Sequence, residues 1–380
     1  MSKNRNISDR ISAALRAGNL NTSGQITGGG INSHNDSAAA DILSNASAGD
    51  GSMHYVNIPN KMYVYDSSDA GYYEINVGNY LGYVAPHQGQ GSTSGFISAS
   101  VNSNPNNTVQ SFAFASDGNA TDHGDLSSDT GYVAGVSSST SGYTVAGMKT
   151  SSFTRHDHIL KFAFSSNTTG TDVGDTLSVM YSAAGNESTT HGYVGGGYNP
   201  PSVLNTIQKW PFSSDGNATD VGDLSATNAY AAGQTSADDG YLSGGWSPTT
   251  SETNVIQKYP FASDANASNV GTMTATRRRL TGSNSTTHGY NAAGEHGSYR
   301  DFVDKFPFAS DGSSTVVGDV YFTSTKFAAG ASSTESGYIA GGSGGVATND
   351  LSKYSFTTDG NATDVGDLTI TSFGSAGHQV

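Results

Sequence analysis

The residues best suited to chemistry in this chain lie in a recurring polar phrase, complete at residues 215–223 as D-G-N-A-T-D-V-G-D. Asp215, Asn217, Thr219 and Asp223 place oxygens at positions 1, 3, 5 and 9 of that phrase, the spacing of loops that wrap calcium in hard oxygen ligands. Asp117 with Asn119, and Asp359 with Asn361, repeat the leading pair, so calcium is the one cofactor the pattern admits. The pattern also erodes. Asp220 stands where the turn glycine is needed, Asn167 replaces the first acid of the second copy, and Thr272 replaces the last acid of the fourth. The erosion favours a competing assignment, in which Asp, Asn and Thr close a hairpin through hydrogen bonds to their own backbone. His156 and His158 could ligate a metal, although two histidines in one loop are more often simply solvated.

The elements that must position these groups are also repeated. Gly-aromatic pairs fall at Phe96, Tyr143, Tyr193, Tyr241, Tyr290 and Tyr338, and aromatic-x-aromatic pairs begin at Phe112, Phe162, Trp210, Tyr259, Phe306 and Tyr354, with spacings of 47 to 50 residues. A period of about 48 residues carrying four short apolar runs is the signature of β-propeller blades, so the fold class is all-β. In the third full copy, residues 230–233 read as inner strand a, 240–244 as b, 256–261 as c and 269–273 as d. Residues 372–380 add one more a-type run, while 53–59, 61–66 and 72–77 resemble b, c and d. The expectation is therefore a seven-bladed ring over 53–380 whose closing blade is built from 53–77 plus 372–380. The alternative is a six-bladed ring with a separate N-terminal hairpin.

Composition narrows the function. A formal charge of −15 argues against nucleic acid as a partner, since phosphate contacts need clustered Lys and Arg. Arg277, Arg278 and Arg279 form the chief basic run and are expected as a local surface patch, with anion or glycan contact as the alternative. No run of 18 apolar residues predicts a membrane insertion or a signal core. The S-x-D-G phrase at residues 213–216 resembles the Asp-box of sialidase-like propellers, yet the acid pair and arginine set of a glycosidase are missing. A copper oxidase of the galactose oxidase type would need a cysteine, and the chain has none. The expectation is a non-enzyme.

Propeller strands alternate in direction, so a-to-b and c-to-d connections share one face while b-to-c and d-to-a connections share the other. The first set is nearly uniform across the copies. The b-to-c loops vary and carry Tyr198, Trp246 and Tyr299 beside Arg155, His156 and Arg300, which makes them the candidate ligand-binding residues. At the N-terminus, residues 6–18 place Ile7, Ile11, Ala14 and Leu15 on one helical stripe with Arg10 and Arg16 alongside, followed by a Gly, Ser and Asn stretch. This predicts an arm over residues 1–52 with a short helix, docking through Ile7, Arg10, Ile11, Leu15 and Arg16; a disordered leader is the alternative.

The doublets Gly196–Gly197, Gly244–Gly245 and Gly341–Gly342, each followed some 13 residues later by an aromatic, resemble kelch repeats, with Val173, Val221, Val270, Val317 and Val365 in place of the strand-d tryptophan. The KFxFASDGNATDVGDL and STTHGYxAGG phrases are similar to kelch-like virion structural proteins of marine tailed bacteriophages, cyanophages especially. The opening SKNRNI and the MYVYD to YYEI module resemble segments of phage fibre proteins. The resemblance implies a component of the external virion surface, anchored by its N-terminal arm. Partners would be other virion proteins, further copies of itself and a host receptor or glycan. A tail-fibre or receptor-binding role is the leading expectation. A capsid decoration or head-fibre protein is the alternative, and a glycan-cleaving enzyme a remote one.

Overall fold

The computed structural model describes residues 89–101, 107–149, 151–249, 251–323 and 325–380, together with four strands nearer the N-terminus. The chain divides into two compact units, 1–85 and 86–380. In the first, Asn32–His34, Met53–Val56, Lys61–Asp66 and Gly71–Ile75 form one sheet in that order, parallel at the first pairing and antiparallel afterwards. The expected helix over 6–18, with Ile7, Arg10, Ile11, Leu15 and Arg16, lies outside the described residues.

The second unit is an all-β propeller of six blades. Blade 1 runs from axis to rim as Ala376–Gln379, Ser94–Ser98, Thr108–Ala113 and Thr121–Asp125, and blade 2 as Ala134–Ser137, Ser141–Lys149, Thr154–Ala163 and Thr171–Asp175. Blades 3 to 6 repeat the order from inner strands Ala184–Glu187, Ala232–Thr235, Thr281–Asn284 and Ala329–Ser332. Among the described residues there is no helix long and apolar enough to cross a membrane.

The expectation of seven blades is thereby corrected. The copy beginning at Gly95 has b, c and d strands but no inner strand of its own, and Ala376–Gln379 supplies one, antiparallel to Ser94–Ser98. Once that pairing forms the ring is shut. The strands at 53–75 belong instead to the separate sheet with Asn32–His34. Closure by distant parts of the chain was legible, but it occurs one repeat further on. Residues 91–94 complete the clasp: Gly91 N–H donates to Ser332 O at 2.8 Å, and the amides of Ser92, Thr93 and Ser94 all point at Val380 O at 2.7–3.1 Å.

The repeated aromatics now have a mechanical role. In every blade the strand-c aromatic lies across the strand-b glycine of the same blade, where an added Cβ would meet the ring; Gly192 under Trp210 and Gly289 under Phe306 are two of the six cases. The strand-b aromatic then packs onto the aromatic-x-aromatic pair of the next blade, as Tyr193 does on Tyr259 and Phe261 with ring centroids 5.8 and 4.8 Å apart. Phe96 on Phe162 and Phe164, and Tyr338 on Phe112 and Phe114, repeat this contact across the closing blade. The strand-d valines that replace tryptophan pack into the same inter-blade clusters, Val173 against the group containing Trp210 and Val365 against that containing Phe112.

At the axis each inner strand presents a glycine: Gly135, Gly185, Gly233, Gly282, Gly330 and Gly377. A Cβ on any of them would fall within 3.0 Å of the carbonyl oxygen of the equivalent glycine in the preceding blade. The six backbones are therefore as close as backbones can come, and this sets the ring's inner radius.

The polar hairpins join blades on the outside. Asp215 receives Lys161 of the preceding blade at 3.0 Å, Asp264 receives Lys209, Asp311 receives Lys258 at 2.7 Å, Asp359 receives Lys305 at 2.6 Å and Asp117 receives Lys353. At the sixth junction Ser111 and Asn167 stand in the corresponding positions. Asn119, Asn217 and Asn361 accept the amide hydrogens of Asp367, Asp175 and Asp319 at 3.0–3.1 Å. The six residues of the calcium pattern thus spend oxygens on lysines and amides of the neighbouring blade, where the turn assignment expects bonds to their own hairpin.

Candidate functional site

Between strands d and a of every blade the chain passes through one residue in the left-handed region. These residues are Tyr132, Ser182, Tyr230, Arg279, Phe327 and Gly374, with φ between 54° and 65°. Each amide donates to the carbonyl of its counterpart one blade back, from Ser182 N–H to Tyr132 O around to Tyr132 N–H to Gly374 O, at 2.6–2.9 Å. Six hydrogen bonds close a circle around the axis. For Tyr, Arg and Phe this backbone costs on the order of 1–3 kcal/mol each, and such strain gathers where side chains must be held for function.

The strained positions project side chains around the mouth of the axial channel, a hollow of about 360 Å³ bounded by Tyr132, Tyr181, Tyr230, Arg279, Phe327 and Phe373 among others. Tyr198 and Trp246, from two-stranded ribbons in the b-to-c connections of blades 3 and 4, extend the set. The seven aromatics touch in sequence, with ring centroids 4.9–6.5 Å apart: Tyr198–Trp246 at 5.8 Å, Tyr181–Tyr198 at 5.4 Å, Tyr132–Phe327 at 4.9 Å. All seven are half-buried. Burial raises the Tyr132 and Tyr230 phenols, so both stay protonated and offer hydroxyls as hydrogen-bond partners.

A charged group flanks this surface. The Arg279 guanidinium lies 5.3 Å from the Tyr230 ring centre and 4.9 Å from that of Phe327, and it also pairs with Glu295. Lys326 reaches Glu295 at 2.8 Å and lies over Tyr299 at 5.4 Å; Arg278 sits between Glu252 at 3.3 Å and Glu295 at 3.6 Å. Burial pushes the Glu295 carboxyl up, but the hydrogen bonds and charges of Lys326 and Arg279 outweigh it and hold the group below the usual carboxylate range.

The expected surface patch of arginines is corrected by the same geometry. Arg277 is fully buried. It pairs with buried Asp304 at 2.7 Å and donates to the carbonyls of Ala293 and Phe302 at 3.0 and 3.3 Å. Asp304 stands where blades 1, 3 and 4 carry Gln110, Gln208 and Gln257, so a charge in strand c calls for a charge in the d-to-a loop.

Of the six ligand-binding candidates, Tyr198 and Trp246 are part of the aromatic surface and Tyr299 lies beside it. Arg300 folds onto its own loop, donating to Ser298 Oγ at 3.0 Å. Arg155 and His156 belong to an extended hairpin of blade 2, where His156 stacks on His158 at 5.0 Å and His158 Nδ1 lies 2.8 Å from Asp172. Asp157, His158 and Asp175 bring three potential metal-ligand atoms within 4.8 Å of one another there. Sequence reading missed Tyr132, Tyr181, Phe327 and Phe373 as site residues and held Arg279 only as an alternative anion or glycan contact. It placed Tyr230 inside strand a, which begins two residues later at Ala232. The available signal was a bulky side chain two or three residues before each inner strand, ahead of small ones.

The axial channel, about 150 Å³ between the inner strands, runs from the left-handed residues of the mouth to a polar collar. The collar is the fourth residue of each inner strand: Ser137, Glu187, Thr235, Asn284, Ser332 and Gln379. Each amide there donates to the side-chain oxygen of the next blade, as Thr235 N–H does to Asn284 Oδ1 at 3.2 Å and Asn284 N–H to Ser332 Oγ at 2.9 Å. Glu187 accepts from Ser137 N–H, and its full burial pushes the carboxyl up to about 8.

A pH effect follows. From the ordinary glutamate range near 4.5 up to about 8, the unfolded chain has released a proton that the folded chain keeps. Stability therefore falls by about 1.4 kcal/mol per pH unit across that window and levels off above it. Glu187→Gln keeps the acceptor and removes the slope. In chemical denaturation without divalent ions, the variant should match the parent near pH 4 and exceed it by about 4 kcal/mol at pH 8. Parallel pH profiles for the two proteins would disprove the assignment.

Comparison with models of known protein families and with curated proteins finds no match for this chain.

Proposed function

We propose that this chain is a non-catalytic, surface-exposed virion protein of a tailed bacteriophage that attaches to a host-surface glycan through the face bearing the axial mouth. The observation that carries this reading is the continuous surface of seven aromatics around the mouth, three of them (Tyr132, Tyr230 and Phe327) on strained backbone, edged by the Arg279, Glu295 and Lys326 group. Half-buried aromatic rings offer flat apolar contacts to the C–H faces of sugars, while their hydroxyls and the adjacent charges take the sugar's polar groups. The loops that build this face vary from blade to blade; those on the other face are nearly uniform. The ring's N-terminal lead, residues 91–94, lies on the uniform face, which suits an arm over residues 1–52 as the virion anchor.

Binding of labelled full-length chain to host cells and to a glycan array tests the reading. Tyr198→Ala and Trp246→Ala should each weaken binding by about tenfold or more with melting temperature nearly unchanged. Undiminished binding by both variants would sink it. One feature favours a second reading, as a decoration or head-fibre component seated on another virion protein. Phe153, Leu177, Tyr321, Phe322 and Val346 are all exposed on connections of this same face. On that reading the chain shows no glycan or cell binding, and particles lacking it assemble poorly.

A further inference from the structure

The collar, at the end of the axial channel away from the aromatic mouth, contains more than its structural task requires. Its six side chains differ, yet each supplies an oxygen that accepts one backbone N–H from the adjacent blade, from Glu187 N–H to Thr235 Oγ1 at 3.4 Å around to Gln379 N–H to Ser137 Oγ at 3.1 Å. A hydroxyl or an amide performs that task in five blades. Gln379, next but one around the ring, shows that a glutamine fits. Blade 3 instead carries a carboxyl, 5 % exposed, lining a polar cavity of about 150 Å³, large enough for a few waters or a partly hydrated ion. Among the described residues no cation answers it: the Ser137 amide donates to Glu187, and its other close polar contact is Gln379 Nε2 at 3.4 Å. A buried carboxyl without a counter-charge is costly unless something neutralises it.

The surroundings supply further oxygens. The collar oxygens of Ser137, Asn284, Ser332 and Gln379 each use one lone pair on an amide and retain a second, while Thr235 Oγ1 also takes Asn186 Nδ2 at 3.5 Å. Gly89 O lies against the collar, held by Asn284 Nδ2 at 2.7 Å, and buried Gln90 is tied to Ser333 O at 2.9 Å beside it.

We infer that the collar is a binding site for a small hard cation, with Glu187 as its single charged ligand and neutral hydroxyl and amide oxygens, or waters held by them, completing the shell. All-oxygen donors exclude soft metals, and one carboxylate among neutral oxygens predicts weak, calcium-like affinity of about 10⁻⁴–10⁻³ M.

The test uses the full chain, stripped with chelator at pH 7.5 and titrated separately with CaCl₂, MgCl₂ and KCl at constant ionic strength while thermal unfolding is followed. Calcium should raise the melting temperature by about 3–6 °C at millimolar concentration. Glu187→Gln should lose the shift while melting no lower than the stripped parent. Asp215→Asn and Asp359→Asn, in the outer hairpins, should keep it. A potassium-only shift abolished in Glu187→Gln would support the site with a monovalent occupant. An equal shift in Glu187→Gln, a shift lost in the hairpin variants instead, or no shift with any of the three salts would overturn it.

Discussion

Gly233→Ala will prevent the ring from closing. The added Cβ would lie within 3.0 Å of Gly185 O, and the obstacle is backbone, which no rotamer change can move aside. The same approach recurs at Gly135, Gly185, Gly282, Gly330 and Gly377, so a shift of one inner strand is passed to the next around the whole axis. Overpacking of side chains costs about 1–3 kcal/mol where neighbours can yield. Here they cannot, and a loss of about 4 kcal/mol or more is expected, seen as a melting point lowered by roughly 10 °C or as insoluble chain. Gly360→Ala is the matched control. Its Cβ meets nothing within 4 Å and its φ lies outside the left-handed region, so its stability should stay within about 0.5 kcal/mol of the parent. Equal melting temperatures for the two variants would refute the account of the axis.

Arg277→Asn should cost about 3–5 kcal/mol, because it leaves Asp304 charged, buried and unpaired. Blade 4 shows how the same space is filled without charge, by Asn228 and Gln257, both buried. The double variant Arg277→Asn with Asp304→Gln installs that solution in blade 5 and should recover most of the loss, to within about 1 kcal/mol of the parent. Denaturant unfolding of both singles and the double closes the cycle. A double variant as unstable as the sum of the singles would show that Arg277 acts through its carbonyl contacts rather than through Asp304.

Period, strand order and inter-blade aromatics were legible because every copy must solve one packing problem, so the same residues return at the same spacing. The polar hairpins were ambiguous for the same reason. Asp215 and Asn217 satisfy a calcium pattern and a blade junction equally well on paper, and only the approach of Lys161 and the Asp175 amide separates the two. One junction did carry the answer in its letters: Ser111 and Asn167 depart from Lys and Asp together, as partners do. Blade count was not legible, since 61–66 resembles strand c and nothing local says whether an inner strand remains for it. The mouth was only half legible. Tyr198 and Trp246 stood out as aromatics in variable loops, whereas Tyr132, Phe327 and Phe373 read as the start of a strand. Their exposure depends on a left-handed turn that tyrosine and phenylalanine rarely adopt.

The clasp at residues 91–94 also decides how the ring bears load. A pull arriving at Gly89 reaches Ser94–Ser98, which is second in its sheet and bonded along both sides to Ala376–Gln379 and Thr108–Ala113. Tension directed along that strand must shear two ladders together, along with the amides gathered on Val380 O and the Gly91 bond to Ser332 in blade 6. An edge strand would instead peel one hydrogen bond at a time. By keeping its lead strand away from the edge, the propeller becomes a tether that spreads a tug over two blades before any single bond can fail.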